Sequence, residues 1–236
     1  MRSHRLLAGL VLPFLLTLGA CGTDADAGGA GGAGGGGESR ALTDLQDGIA
    51  TYYEADGSGN CSFDAGPDIH VAALNAPQYA DAGWCGACAA IEGPQGNVTV
   101  RIVDQCPECL AGHLDLHPEA FDRIADRVDG RVDIRWRFVT CPVTENVRYR
   151  FKEGSSQWWT ALQVLDHRLP IDTLAWWNGS AWVDVPRASY NYFVAESGLG
   201  EPPYRIRLTA IDGQTLEDNL PSLQIGTIYE GAGQFE

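Results

Sequence analysis

Hydrophobic and polar positions alternate with a period of two in four segments: Val98-Thr-Val-Arg-Ile-Val, Val132-Asp-Ile-Arg-Trp-Arg-Phe, Val147-Arg-Tyr-Arg-Phe-Lys and Tyr204-Arg-Ile-Arg-Leu-Thr. Successive side chains of a strand point to opposite faces, so each segment predicts a strand with one apolar and one polar side. Hairpin signals stand at Asn178-Gly179 and Asp212-Gly213. A helical period occurs once, where residues 118–128 place Phe121, Ile124, Ala125 and Val128 on one face. Pro118 suits the first helical position, which makes His117 the cap and leaves Asp115 free, and Gly130 ends the segment. The pattern predicts a mainly β chain in two parts. Strands with one helix occupy residues 46–142, and an all-β sandwich follows over 145–236, joined by a few residues around Pro142 to Asn146.

The run from Leu6 to Ala20 follows Arg2, His4 and Arg5 and is interrupted by Pro13, the layout of a signal peptide over residues 1–20. Leu18-Gly19-Ala20 directly precedes Cys21 and resembles a bacterial lipobox, which predicts lipidation of Cys21. Eight glycines between Gly28 and Gly37 leave no apolar face, so residues 21–45 read as a flexible tether with folded protein starting near Leu45. Such a tether reaches on the order of 25 to 30 Å.

The 236 residues are 44% hydrophobic and 20% charged, enough to bury one large core or two small ones and incompatible with a wholly disordered chain. Formal net charge is −15, and removing residues 1–20 takes away Arg2 and Arg5 and no acids, leaving −17. With no basic patch behind that average, nucleic-acid backbone binding is excluded as a function class. Polyanionic pectate is disfavoured for the same reason.

Apart from Cys21, six cysteines remain: Cys61, Cys85, Cys88, Cys106, Cys109 and Cys141. An even set in an exported chain is most simply three disulfides, among 15 connectivities. Cys85-Gly-Ala-Cys88 and Cys106-Pro-Glu-Cys109 are also spaced as a zinc ribbon would space them. Export favours disulfides, and a chain without metal or other cofactor.

The candidate chemistry lies in Gly48-Ile-Ala-Thr51-Tyr-Tyr, Val103-Asp104-Gln-Cys106-Pro-Glu108-Cys109 and His113-Leu-Asp115-Leu, followed by Lys152-Glu-Gly-Ser-Ser-Gln-Trp158-Trp159 and Ser189-Tyr190-Asn-Tyr-Phe193. Together and in this order these motifs resemble the expansins and the bacterial expansin-like proteins, from Gly48 to the C-terminus. The resemblance implies a six-stranded double-psi β-barrel followed by an immunoglobulin-like β-sandwich that binds cellulose. Position by position, Asp115 matches the family's essential carboxylate, and Thr51 and Asp104 match polar residues of the same groove. The residue two after Asp104 is a Tyr in one bacterial branch and Cys106 here, so a groove-lining aromatic is expected to be missing. The plant-type pattern implies the pairs Cys61–Cys85, Cys88–Cys141 and Cys106–Cys109.

Hydrolysis of a glycosidic bond ordinarily needs a second carboxylate opposite the first. In related barrel cellulases it stands four residues after the Thr, which falls here on Ala55, flanked by Glu54 and Asp56. Those two read as a solvated turn before Gly57-Ser-Gly59. An acid such as Asp104 can also tie loops together through backbone hydrogen bonds, and His113 reads as a structural or rim residue.

In the second part the signal is aromatic, because flat indole and phenol rings stack on sugar C–H faces with little entropy lost. The resemblance places Trp158, Trp159 and Tyr190 on one binding face, with Lys152 near it. Strand periodicity would send one of the adjacent tryptophans into the core, so a bulge or loop after Ser155-Ser156 is required. Trp176, Trp177 and Trp182 flank the Asn178-Gly179 turn and read as hairpin packing. The expected protein is a lipid-anchored monomer of the bacterial cell envelope, held to the membrane only through Cys21. It would bind cellulose or another β-glucan, with peptidoglycan as the other polysaccharide partner, and loosen wall contacts without hydrolysis. The alternatives are a barrel endoglucanase or peptidoglycan lytic enzyme using Asp115, and a cellulose-binding adhesin.

Overall fold

In the computed structural model residues 39–236 are described; the expectations for residues 1–20 and for Cys21 lie outside them. Six strands, β1 (Gln46–Tyr52), β2 (Val71–Asn75), β3 (Cys88–Glu92), β4 (Asn97–Cys106), β5 (His113–Leu116) and β6 (Val132–Val139), close into a barrel in the order β1-β5-β2-β4-β3-β6. The β1/β5 and β2/β4 pairs are parallel and the others antiparallel. The alternation of β4 and β6 sends Val98, Val100 and Ile102 inward to meet Ile134, Trp136 and Phe138 in one core. Trp136 is fully buried, and its indole Nε1–H donates to Gly112 O at 2.9 Å. A Cβ on Gly48 would stand 2.1 Å from that same carbonyl and 2.7 Å from the indole nitrogen, so β1 can approach only as glycine there.

The helical segment is shorter than its periodicity predicts. α1 (Ala76–Tyr79) and α2 (Pro118–Phe121) are single turns, and His117 caps α2 by accepting from Glu119 N–H at 3.1 Å. Phe121, Ile124 and Ala125 are buried as expected, but Val128 is 91% exposed. The carbonyl of Ile124, which a continuing helix would offer to residue 128, accepts instead from Gln95 N–H at 2.9 Å. Asp126 then turns extended. Packing against the barrel is seen before Leu45: Arg40 exchanges hydrogen bonds with Thr140, Leu42 N–H donates to Phe138 O, and Leu42 packs against both hydrophobic cores. The apolar side chain of Leu42 outweighs the polar composition around it.

Eight strands follow: β7 (Arg148–Phe151), β8 (Thr160–Leu165), β9 (Ile171–Trp177), β10 (Trp182–Val185), β11 (Phe193–Ala195), β12 (Tyr204–Ala210), β13 (Thr215–Leu220) and β14 (Ile228–Glu230). They form two antiparallel sheets, β10-β9-β12-β13 and β11-β8-β7-β14. Tyr149, Phe151, Leu162 and Val164 of one sheet pack against Leu174, Ile206 and Leu208 of the other. Buried Asp218 accepts from Tyr149 OH at 2.5 Å and from Ala232 N–H at 2.6 Å, so this carboxylate is satisfied from two sides.

The cysteines close as Cys61–Cys85, Cys88–Cys141 and Cys106–Cys109, which sends Cys85 and Cys88 to different partners and takes the zinc-ribbon spacing apart. Barrel and sandwich meet through polar contacts. Cys61 O accepts from Gln163 Nε2 at 2.8 Å and from Asn191 Nδ2 at 3.1 Å, and Arg150 bonds Asp64 at 2.5 Å and also the Ser62 carbonyl. Arg187 donates to Ala82 O at 2.8 Å. His167 is buried against Gly86, whose added Cβ would lie 2.6 Å from the imidazole Nε2, while its Nδ1 lies 2.8 Å from Leu169 O. Burial, followed by the charge of Arg101, pushes the His167 pKa down to about 4.

Candidate functional site

The parallel register of β1 and β5 sets Thr51 opposite Asp115. The Thr51 hydroxyl donates to Asp115 Oδ1 at 2.5 Å and lies 2.9 Å from His113 Nε2. A hydroxyl has one proton, so with that proton on Asp115 the contact to His113 has Nε2–H as donor, and the order is imidazole to hydroxyl to carboxylate. Burial raises the Asp115 pKa against the opposing pull of Thr51 and His113, and burial lowers that of His113 despite Asp115.

Ala73 of β2 pairs with Asp115 on one side and with Asp104 on the other, so the two acids lie in one row, two strands apart. At about 4.8 Å per strand that is roughly 10 Å between backbones. Asp104 Oδ1 accepts from Asn60 N–H at 2.6 Å and Gln105 N–H at 2.8 Å, tying the loop before Cys61 to β4. Asp56 Oδ1 accepts from Ser58 N–H at 2.9 Å and from its hydroxyl at 2.5 Å, which makes it part of a turn. Tyr52 faces the helix side, where its ring lies 5.1 Å from that of Phe121 and its hydroxyl donates to Arg127 O, and Glu54, two residues on, has no hydrogen bond or ion pair to the Thr51 and Asp115 pair.

Tyr53 shares the Thr51 side of the chain; it ends the Gly48–Tyr53 motif but is given no role by the sequence. Its ring packs on the Cys106–Cys109 bridge and Ala73. Its hydroxyl is buried with no hydrogen-bond partner, and burial, then Asp104 and Asp115, raise its pKa. The aromatic expected to be missing beside Asp104 is thus supplied by the residue that directly follows β1. Period two gave the signal: residues 51 and 53 must share a face.

In the sandwich, Ser156 and Trp159 exchange backbone hydrogen bonds at 2.7 and 3.3 Å around a two-residue turn of Gln157 and Trp158. A turn therefore frees both indoles from the strand's alternation. Trp158 stands at its apex, 73% exposed. Trp159 and Tyr190 rest together on Ala161, Tyr192 and Val194, and Trp159 Nε1–H donates to Glu196 at 3.2 Å. Lys152 Nζ lies 5.4 Å from the Tyr192 ring centre. Glu196, not marked by the sequence, and Tyr192, which stands in the Ser189–Phe193 motif without an assigned role, set the orientation of this cluster.

Groove and aromatic cluster are joined. Ser189 O, next to Tyr190, accepts from Asn60 Nδ2 at 3.0 Å and Tyr79 OH at 3.2 Å, and Asn60 is the residue whose N–H bonds Asp104. Among the described residues no group of three or more His, Cys, Asp or Glu is arranged to hold a metal ion.

A double-psi barrel family model described as lytic transglycolase matches residues 46–136, the barrel alone. Relatives match across both parts. Expansin-YoaJ of Bacillus subtilis is 38% identical over 191 residues, 78% of this chain and 82% of the relative. Expansin-like protein 2 of Dictyostelium discoideum is 31% identical over 84% of this chain and 52% of its own length. The crystal structure of a point mutant of Clavibacter michiganensis expansin in complex with cellohexaose is similar with a TM-score of 0.77 at 34% identity, covering 82% of this chain and 98% of that one.

Proposed function

This chain belongs to the expansin family, and from that premise we propose that it grips wall polysaccharide of the cellulose type and loosens contacts between glucan chains without cutting them. The observation that carries the reading is the joined surface: an aromatic cluster linked to an acid-bearing groove through Ser189, Asn60 and Asp104. Trp158, Trp159 and Tyr190 would stack on sugar faces, with Lys152 donating to hydroxyls. Thr51, Asp104 and Asp115 would engage a strand of the same surface, and the solved complex of a relative with cellohexaose supports a glucan as the ligand class.

The groove chemistry supports hydrogen-bond exchange more than hydrolysis. Asp115 is held by Thr51 on one oxygen and has a raised pKa, so it can act as donor or acceptor toward a sugar oxygen. A base across the bond is the missing part, since Asp104 is engaged by two backbone N–H groups, Asp56 closes its own turn, and Ala55 stands where a partner is expected. Export and a lipid anchor at Cys21 are proposed from sequence, as are a monomeric state and action at the cell surface, in keeping with the extracellular wall on which the family acts.

Asp115→Asn tests the reading: wall loosening is abolished while folding and cellulose binding stay near wild type. Turnover of soluble glucan or peptidoglycan to reducing sugar by the wild type would replace it with the barrel enzyme. Cellulose binding without any weakening of paper or wall strips would leave an adhesin.

A further inference from the structure

The outer face of sheet β10-β9-β12-β13 carries a second aromatic group, unrelated to the platform on the β7–β8 turn. Trp177 of β9 and Trp182 of β10 are partners in register, with ring centres 5.6 Å apart and planes at 65°, so the indoles form two sides of a corner. Both are partly exposed, and neither belongs to the sandwich core, which Trp176 joins from the opposite side of β9. Trp136 and Trp159 give their indole N–H groups to Gly112 and Glu196, whereas those of Trp177 and Trp182 have no acceptor among the described residues.

Arg205 and Arg207 of β12 lie against this corner, with guanidinium carbons 5.2 and 4.0 Å from the Trp182 ring centre. Each arginine bonds Glu217 of β13 through Nε and Nη2, Arg205 on one carboxylate oxygen and Arg207 on the other. Stacking and these paired bonds fix the arginines before any ligand arrives, and each keeps its Nη1 outside the Glu217 contact. With Asp184 opposite Ala175 on the same face, two arginines balance two acids. A neutral surface of indole edges and fixed polar donors suits hydroxylated, uncharged sugar and gives a polyanion no net attraction.

We propose that the Trp177/Trp182 corner, with Arg205, Arg207 and Glu217, is a second binding face for neutral β-glucan. The protein then carries one glucan site on each side of its sandwich and bridges two glucan surfaces. The proposal rests on the function proposed above for the choice of ligand.

Cellohexaose and cellulose nanocrystals test it with the full chain. Calorimetry is expected to give two cellohexaose sites for wild type, one for Trp158→Ala/Trp159→Ala, one for Trp177→Ala/Trp182→Ala, and none when all four are replaced. Wild type is expected to flocculate nanocrystals, and each double variant to bind them without flocculation. Should the second double variant fold poorly, the indole N–H resonances of Trp177 and Trp182 are followed in the platform variant, where cellohexaose must shift them. Flocculation by Trp177→Ala/Trp182→Ala at the wild-type level, or a platform variant with unshifted indoles, overturns the second face alone. A wild type that binds no cellohexaose overturns both this face and the proposed function.

Discussion

His167 gives the joint between barrel and sandwich a dependence on pH that can be worked out. The side chain is buried, and that burial first, then the charges of Arg101 and Arg187, opposes a proton there; Asp166 is the charge in its favour, and the pKa is about 4. The unfolded chain takes up that proton near 6.5. Between 6.5 and 4 the unfolded state therefore binds more protons than the folded one, and stability falls as pH falls through that window. A gap of about 2.5 at 1.36 kcal/mol each is about 3 kcal/mol in full, of which about 2 kcal/mol is lost between pH 7.5 and 5. Carboxylates with lowered pKa, such as Asp64 and Glu217, add losses of the same sign on further acidification, so a difference measurement is needed. His167→Gln keeps an amide able to donate to the Leu169 carbonyl and removes the titration. Urea unfolding at pH 7.5 and 5 should show wild type losing about 2 kcal/mol more than the variant. Equal losses in the two proteins would refute the argument and mean that the joint admits a charged imidazole.

Trp158→Ala should weaken cellulose binding with melting temperature unchanged, because the side chain is at an exposed apex; Trp159→Ala should lower both, because it also packs on Ala161, Tyr192 and Val194. Each stacked ring contributes roughly 0.5 to 1.5 kcal/mol, or about two- to tenfold in affinity, read by depletion isotherms. Tyr53→Phe removes a buried hydroxyl without a partner, so urea unfolding should show a gain of about 1 kcal/mol while wall loosening falls; unchanged loosening would remove Tyr53 from the groove. Replacing Cys88 and Cys141 by Ser opens a span of 53 residues and should cost about 4 kcal/mol by chain entropy, against about 1.5 kcal/mol for Cys106 and Cys109, three apart. The second pair should nevertheless impair loosening, because Tyr53 rests on it.

Period-two segments were legible because β4 and β6 each bury one face, and an alternation needs nothing beyond the strand itself. The end of α2 was not, since the group that stops it, Gln95 N–H, lies far upstream in the chain. Leu42 looked like tether by composition and is core because its backbone bonds Phe138, at the other end of the barrel sequence. Thr51 and Asp115 could be named from motifs, but their hydrogen bond depends on the β1/β5 register, which no local pattern encodes. The platform required a turn that strand periodicity could only demand, and the place of Tyr53 depends on its packing against the Cys106–Cys109 bridge, some fifty residues away, which no local pattern encodes.

The parallel pairing of β1 with β5, and the closure of β1 on β6 with Gln46 opposite Trp136, makes the groove a product of distant segments. Loop closure of that length is an entropic cost met before any contact rewards it, and topologies of this kind fold slowly. Thr51 stays a solvent-exposed hydroxyl until Asp115 has been synthesised and brought beside it. No N-terminal fragment of the barrel can therefore carry a partial groove, and limited proteolysis of a refolding chain should show β1 protected only together with β6.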